Sequence, residues 1–215
     1  MRPALTLTAL FICSVFSAAC GGAEDMADEM GDAASSDMDV AATGTLAGCY
    51  LAGATLAEAR QRPSPLNEVS FSVGGSPSLL CYGAPSLRDR VFIGEIEPYG
   101  APWRAGANEP TTIHLTGAAV LGGVTLPPGS YSLYLVPQAE GDWEFFINSN
   151  YQRWGIPIGP DIRASEVGSF MVTPEFGDEM VETLEYTFED TGDGMGNIVM
   201  RWENWQVSLH VMPAM

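Results

Sequence analysis

The chain has 215 residues, 46% of them hydrophobic, with 24 Gly and 15 Pro, a composition that excludes a long-helix or wholly disordered protein and suits one domain of many short strands. Acidic residues outnumber basic ones 27 to 9, for a formal net charge of −18, so the surface repels nucleic acid and anionic lipid headgroups. Every basic residue is Arg, which excludes Schiff-base chemistry and lysine general bases.

In chain order, Arg2, the apolar run 4–16 and the small residues Ser17, Ala18 and Ala19 read as a signal peptide over residues 1–19, too short to span a bilayer. Cleavage before Cys20 is expected. The small residues followed by Cys20 and Gly21 resemble a bacterial lipobox, so Cys20 is expected to carry lipid and to hold the protein in the cell envelope, at the outer membrane facing the periplasm or the exterior. Ser17 stands where that motif usually has Leu, and an ordinary signal peptidase would cut at the same place, leaving a soluble periplasmic or secreted protein with a free or intermolecularly paired Cys20. Cysteine arithmetic favours the lipid: cleavage leaves Cys20, Cys49 and Cys81, and a Cys49 to Cys81 disulfide leaves Cys20 over.

Residues 20–45 read as an acidic disordered tether. Glu24, Asp25, Asp28, Glu29, Asp32, Asp37 and Asp39 repel one another, and residues 24–45 hold no aromatic residue to bury. A short helical lead-in follows over residues 46–63, with Thr55 as N-cap, Glu58 in the capping-box position and Pro63 as the stop.

From residue 64 the hydrophobic period changes to two. Val69, Phe71 and Val73 alternate with serines, and further strands are expected near 79–82, 91–95, 111–116, 131–136, 143–148 and 169–173. Leu184, Tyr186 and Phe188 answer Ile198, Met200 and Trp202 across a Gly-rich turn, and Val207, Leu209 and Val211 form a last strand. The expected fold is an all-β antiparallel β-sandwich over residues 64–215 with one short N-terminal helix.

The densest polar constellation is Tyr99, Trp103, Arg104, Asn108, Glu109 and Thr111, in a loop rich in Gly and Pro, with Tyr151 and Trp154 as candidates to complete a pocket. Arg104 can grip a carboxylate, a phosphate or a sugar hydroxyl, Asn108 and Glu109 can direct hydrogen bonds, and Trp103 can stack on a flat face. In the structural alternative, Arg104 and Glu109 pair to tie the loop and Trp103 caps the core.

Other motifs fail on spacing. His114 and His210 have no HxH or HxxxH partner, so no metal site and no cofactor is expected. No GxSxG elbow exists for a serine triad. The acidic, Gly-rich stretch 189–197 puts Met200 where a calcium loop needs its bidentate Glu, and reads as a hairpin turn. Residues 126–129 read as a type II turn with Gly129 at positive φ.

Several strings together resemble the bacterial domain of unknown function family 2911: Ser64-Pro65, Tyr82-Gly83-Ala84-Pro85 with Arg88 and Arg90, Pro98-Tyr99-Gly100, Trp103-Arg104, Gly106-Ala107-Asn108-Glu109 before Thr111, the stretches 126–133 and 143–148, and Trp154-Gly155. The resemblance covers about residues 64–212. Ala84 stands where Arg is common in the family and Asp89 where Gly is usual. It implies a domain and no activity. The expected function is an envelope lipoprotein whose membrane partner is reached through Cys20 and whose loop 103–111 binds a small ligand or glycan. The alternatives are an envelope hydrolase using Glu109 as acid or base with Arg104 as charge stabiliser, and a purely structural or interaction module.

Overall fold

The computed structural model describes residues 46–215, and the expected signal peptide over 1–19, the expected lipid site at Cys20 and the expected tether over 20–45 lie outside the described residues. The described chain forms ten strands in two antiparallel sheets, as the period-two patterning predicts. One sheet has six strands in the order β1 (Leu66–Val73), β2 (Ser76–Gly83), β3 (Ala107–Leu115), β6 (Gly129–Val136), β7 (Trp143–Asn148) and β8 (Glu166–Val172). The other has four, in the order β5 (Val124–Leu126), β4 (Ala119–Leu121), β10 (Met195–Pro213) and β9 (Glu175–Gly192).

Alternation explains the core. Leu80, Ile113, Leu133 and Leu135, Phe145 and Ile147 face Leu184, Tyr186, Ile198, Met200, Trp202 and Leu209 in one apolar cluster between the sheets. Trp103 stacks on Trp202 with ring centroids 5.6 Å apart, and Trp143 meets Trp205 edge-on at 4.9 Å. Aromatic side chains bury on the order of 150–250 Å² each, so these four indoles are a large share of what holds the sheets together.

The lead-in is stapled to the outer face of the six-stranded sheet. Cys49 and Cys81 form the disulfide, closing a loop of sequence separation 32, and Ala59, Leu66, Leu79 and Leu51 pack around it as a small second core. The helix, α1 (Leu56–Arg60), carries the capping box in full: Glu58 N–H donates to Thr55 Oγ1, and Thr55 N–H donates to the Glu58 carboxylate at 2.7 Å.

Four expectations need correction. Residues 91–95 are not a strand, because the buried Glu203 carboxylate takes the N–H groups of Phe92 and Ile93, at 2.8 and 3.3 Å, that a sheet ladder would have used. The strand expected at 207–211 is continuous with the one before it, so β10 runs 19 residues and absorbs its bend at a bulge where Glu203 has φ 51°. Gly129 does not take positive φ. It opens β6, and Tyr131 closes that turn by donating its hydroxyl to the Pro127 carbonyl at 2.9 Å. A second short helix, α2 (Pro160–Arg163), was not expected; it sits inside the excursion between β7 and β8.

Candidate functional site

The expected site loop leaves the 90s turns, enters the core at Trp103 and becomes β3 at Ala107. Trp103 exchanges backbone hydrogen bonds with Leu135, at 2.7 and 2.8 Å, which drives its indole between the sheets. It is therefore no wall for a ligand, and a correction follows: Trp103 is 1% exposed and part of the core. The backbone then takes left-handed conformations at two separate residues, Ala105 at φ 55° and Asn108 at φ 63°. That left-handed backbone is uncommon for residues with a Cβ and needs tertiary support. Two buried hydroxyls supply it, Thr111 and Tyr186 each donating to the Ala105 carbonyl at 2.8 Å. Thr111 is thus a buried strut and is not available to a ligand.

The Arg104 to Glu109 tie is also corrected. Glu109 pairs with Arg62 of the lead-in, whose Nη1 donates to both carboxylate oxygens at 2.9 and 2.6 Å. Asn108 uses its side-chain amide to donate to the Ser64 carbonyl at 2.8 Å. Asn108 and Glu109 together clamp the lead-in to the start of β3. Arg104 is left half-buried, and its guanidinium makes no hydrogen bond to any described residue. Burial lowers its pKa, opposed by the charge of Glu97, whose own pKa burial raises and Arg104 lowers. Tyr99, at the far side of this loop, is exposed and lies across Gly94.

What the loop supports is a second loop, residues 149–165. Gly155 donates its N–H to the Asn108 carbonyl at 3.0 Å, and a Cβ on Gly155 would lie 2.4 Å from both Arg104 Cδ and that carbonyl oxygen. Only glycine fits there. Arg153 curls beneath its own loop, donating from Nε to the Asn150 carbonyl at 3.1 Å and from Nη1 to the carbonyls of Trp154 and Gly155 at 2.9 and 3.0 Å. Its Nη2 is buried with no partner among the described residues, and burial lowers its pKa. Arg62, fixed by Glu109, lies over the Trp154 ring with Cζ 6.0 Å from the centroid. Such a contact stabilises by about 0.5–1 kcal/mol at an exposed position.

The second loop encloses an open pocket of about 330 Å³, walled by Trp154, Ile156, Pro157, Pro160 and Ile162, with Arg153 and Asp161 as its two charged side chains. That volume falls within the range of small-molecule sites. Tyr151, also a candidate, turns away from it and meets the His114 ring edge-on at 5.9 Å. A second hollow beside Phe176 is polar, and its Arg201 is already occupied by Glu179 and Glu185 at 3.2 and 3.6 Å. Among the described residues no group of three His, Cys, Asp or Glu could hold a metal ion.

The family model described as "Protein of unknown function (DUF2911)" matches residues 64–211, all of the sandwich but the last two residues of β10, and both loops. The chain belongs to this family. No curated protein and no solved structure matches it. Within this DUF2911 domain Asn108 and Arg104 of the Trp103 to Thr111 stretch brace the loop whose residues 153–162 line the pocket beside Trp154. Sequence reasoning found Trp154 but missed Arg62, Arg153 and Asp161. The available signal was the string Gly155-Ile156-Pro157-Ile158-Gly159-Pro160, whose apolar residues between Gly and Pro have no strand to join.

Proposed function

We propose that the chain is an exported protein held in the cell envelope by lipid on Cys20, and that its DUF2911 domain binds a small, largely apolar ligand in the pocket beside Trp154. Export and anchoring rest on the signal-like residues 1–19, the small residues before Cys20 and the pairing of Cys49 with Cys81, which leaves Cys20 over. Binding rests on one observation above all. Trp154 is 48% exposed, whereas the other four tryptophans are 5% exposed or less. It stands beside Ile156, 50% exposed, on a loop braced from below by Asn108 and Arg104. Large apolar side chains held rigidly in the open around a concavity favour ligand contact over packing.

The composition of the pocket favours a small apolar ligand over a glycan, because a sugar needs many directed polar groups and the walls offer only Arg153 and Asp161. Hydrolysis by Glu109 is disfavoured by its Arg62 pairing, which occupies both carboxylate oxygens. The test is a thermal-shift and tryptophan-fluorescence screen of small apolar acids, amines, amides and amino acids, with oligosaccharides alongside, on the wild type and Trp154→Ala. Saturable binding that is lost in Trp154→Ala is expected. Binding of oligosaccharides alone, or binding unchanged in the variant, would refute this site.

A further inference from the structure

The charge that the Trp154 pocket offers to solvent has one sign. Of its two charged side chains, Arg153 is committed to its own loop: Nε and Nη1 are spent on three loop carbonyls, and Nη2 is closed to solvent. Asp161 lines the pocket from the first turn of α2, is exposed, and makes no hydrogen bond or ion pair with any described residue. The neighbouring arginines are committed as well. Arg163 donates from Nε to Glu166 at 2.8 Å with its Cζ 4.9 Å from the Phe146 ring centroid, and Arg62, over the Trp154 ring, holds both oxygens of Glu109. Asp161 is thus the charge of this pocket that stands open without a partner among the described residues. It belongs to a chain of formal net charge −18, a field that concentrates cations at the surface.

We infer that the occupant is an organic ammonium ion with an apolar body, its positive group at Asp161 and its hydrocarbon against Trp154, Ile156, Pro157 and Ile162. This rests on the pocket being a ligand site. An apolar carboxylate would meet Asp161 as a like charge, with no free cation in the pocket to offset it. An uncharged apolar molecule would fill the same walls and displace part of the Asp161 hydration with nothing in return. An ammonium replaces that water with a charge-assisted hydrogen bond, and because Asp161 is exposed the cation keeps part of its own hydration there. The apolar walls take the hydrocarbon body, and a second charge on the ligand would be excluded by them.

The experiment titrates the wild type, Asp161→Asn and Trp154→Ala with three phenyl probes that differ in charge: phenethylamine, uncharged phenylacetamide and 3-phenylpropionate. Calorimetry is the readout, because Trp154→Ala removes a fluorescent reporter. Asp161→Asn removes an exposed carboxylate without hydrogen-bond partners, and circular dichroism confirms that it folds. Phenethylamine should bind the wild type about fivefold tighter than phenylacetamide, the size of an exposed ion pair, and at least about tenfold tighter than 3-phenylpropionate. Asp161→Asn should weaken phenethylamine about fivefold and leave phenylacetamide unchanged, and Trp154→Ala should weaken all three. A preference for the amine that survives Asp161→Asn would come from the net charge of the chain and would overturn the pairing. Equal affinity of the wild type for phenethylamine and phenylacetamide, or tighter binding of 3-phenylpropionate, would overturn it too. If phenylacetamide or 3-phenylpropionate binds in a Trp154-dependent way and phenethylamine does not, the pocket stands and the ammonium falls. If no probe binds, both fall.

Discussion

His114 offers the sharpest quantitative test of the packing on the outer face of the six-stranded sheet. It lies on β3, 1% exposed, with Nδ1 2.7 Å from Ser130 Oγ, the Tyr151 ring against its edge and Nε2 without a partner among the described residues. Burial lowers its pKa from 6.5 to about 4. Because the folded pKa is depressed, the unfolded chain binds the proton first on acidification. Stability is therefore complete above about pH 6.5 and declines as the pH falls toward 4, in a window set by those two values. A shift of this size corresponds to a loss of about 3 kcal/mol across the window. The assay is urea unfolding of the wild type and His114→Gln at pH 7.5, 5.5 and 4.0. The difference between the two proteins cancels the carboxylates that titrate in both. The wild type should lose about 3 kcal/mol more than the variant between the first and last pH. Parallel pH profiles for the two proteins would show that His114 is not held neutral by burial, and the packing of residues 149–165 over β3 would be wrong.

Three further outcomes follow from the same geometry. Glu109→Gln leaves Arg62 unpaired where it is 23% exposed; discounted for that exposure, the loss should be about 1–2 kcal/mol by urea unfolding, and in a double-mutant cycle with Arg62→Gln a coupling energy near zero would contradict the clamp. Trp103→Ala should destabilise by about 3–5 kcal/mol, as expected of a core indole stacked on Trp202, and a loss under 1 kcal/mol would place it at the surface instead. Cys49→Ser with Cys81→Ser should lower stability by about 3–4 kcal/mol, from the loop of separation 32 that the bridge closes, and an unchanged midpoint under oxidising conditions would contradict it.

The strands were legible wherever one face is buried. Leu184, Tyr186 and Phe188 point inward in β9 between residues that do not, and the alternation announces it. The 91–95 stretch misled because its apolar residues are claimed by a carboxylate 110 positions away, and nothing local to it signals Glu203. The same limit applied to the site. Arg104, Asn108 and Glu109 stood out by polarity in a Gly-rich loop, but the partner of Glu109 is 47 residues distant, in a lead-in brought close by the disulfide. Trp103 and Trp154 are chemically identical in a sequence. The backbone exchange with Leu135 pulls the first inward, and the glycine after the second lets its loop ride on the Asn108 carbonyl with the indole outside.

That difference is also the most direct test of the proposed function. Five tryptophans give five indole N–H signals in a ¹⁵N–¹H correlation spectrum. Titration with phenethylamine and, separately, with uncharged phenylacetamide should shift the Trp154 signal saturably and leave Trp103, Trp143, Trp202 and Trp205 in place. A saturable shift of Trp103 with Trp154 unmoved would return the site to the loop at 99–111 and contradict the proposed pocket beside Trp154.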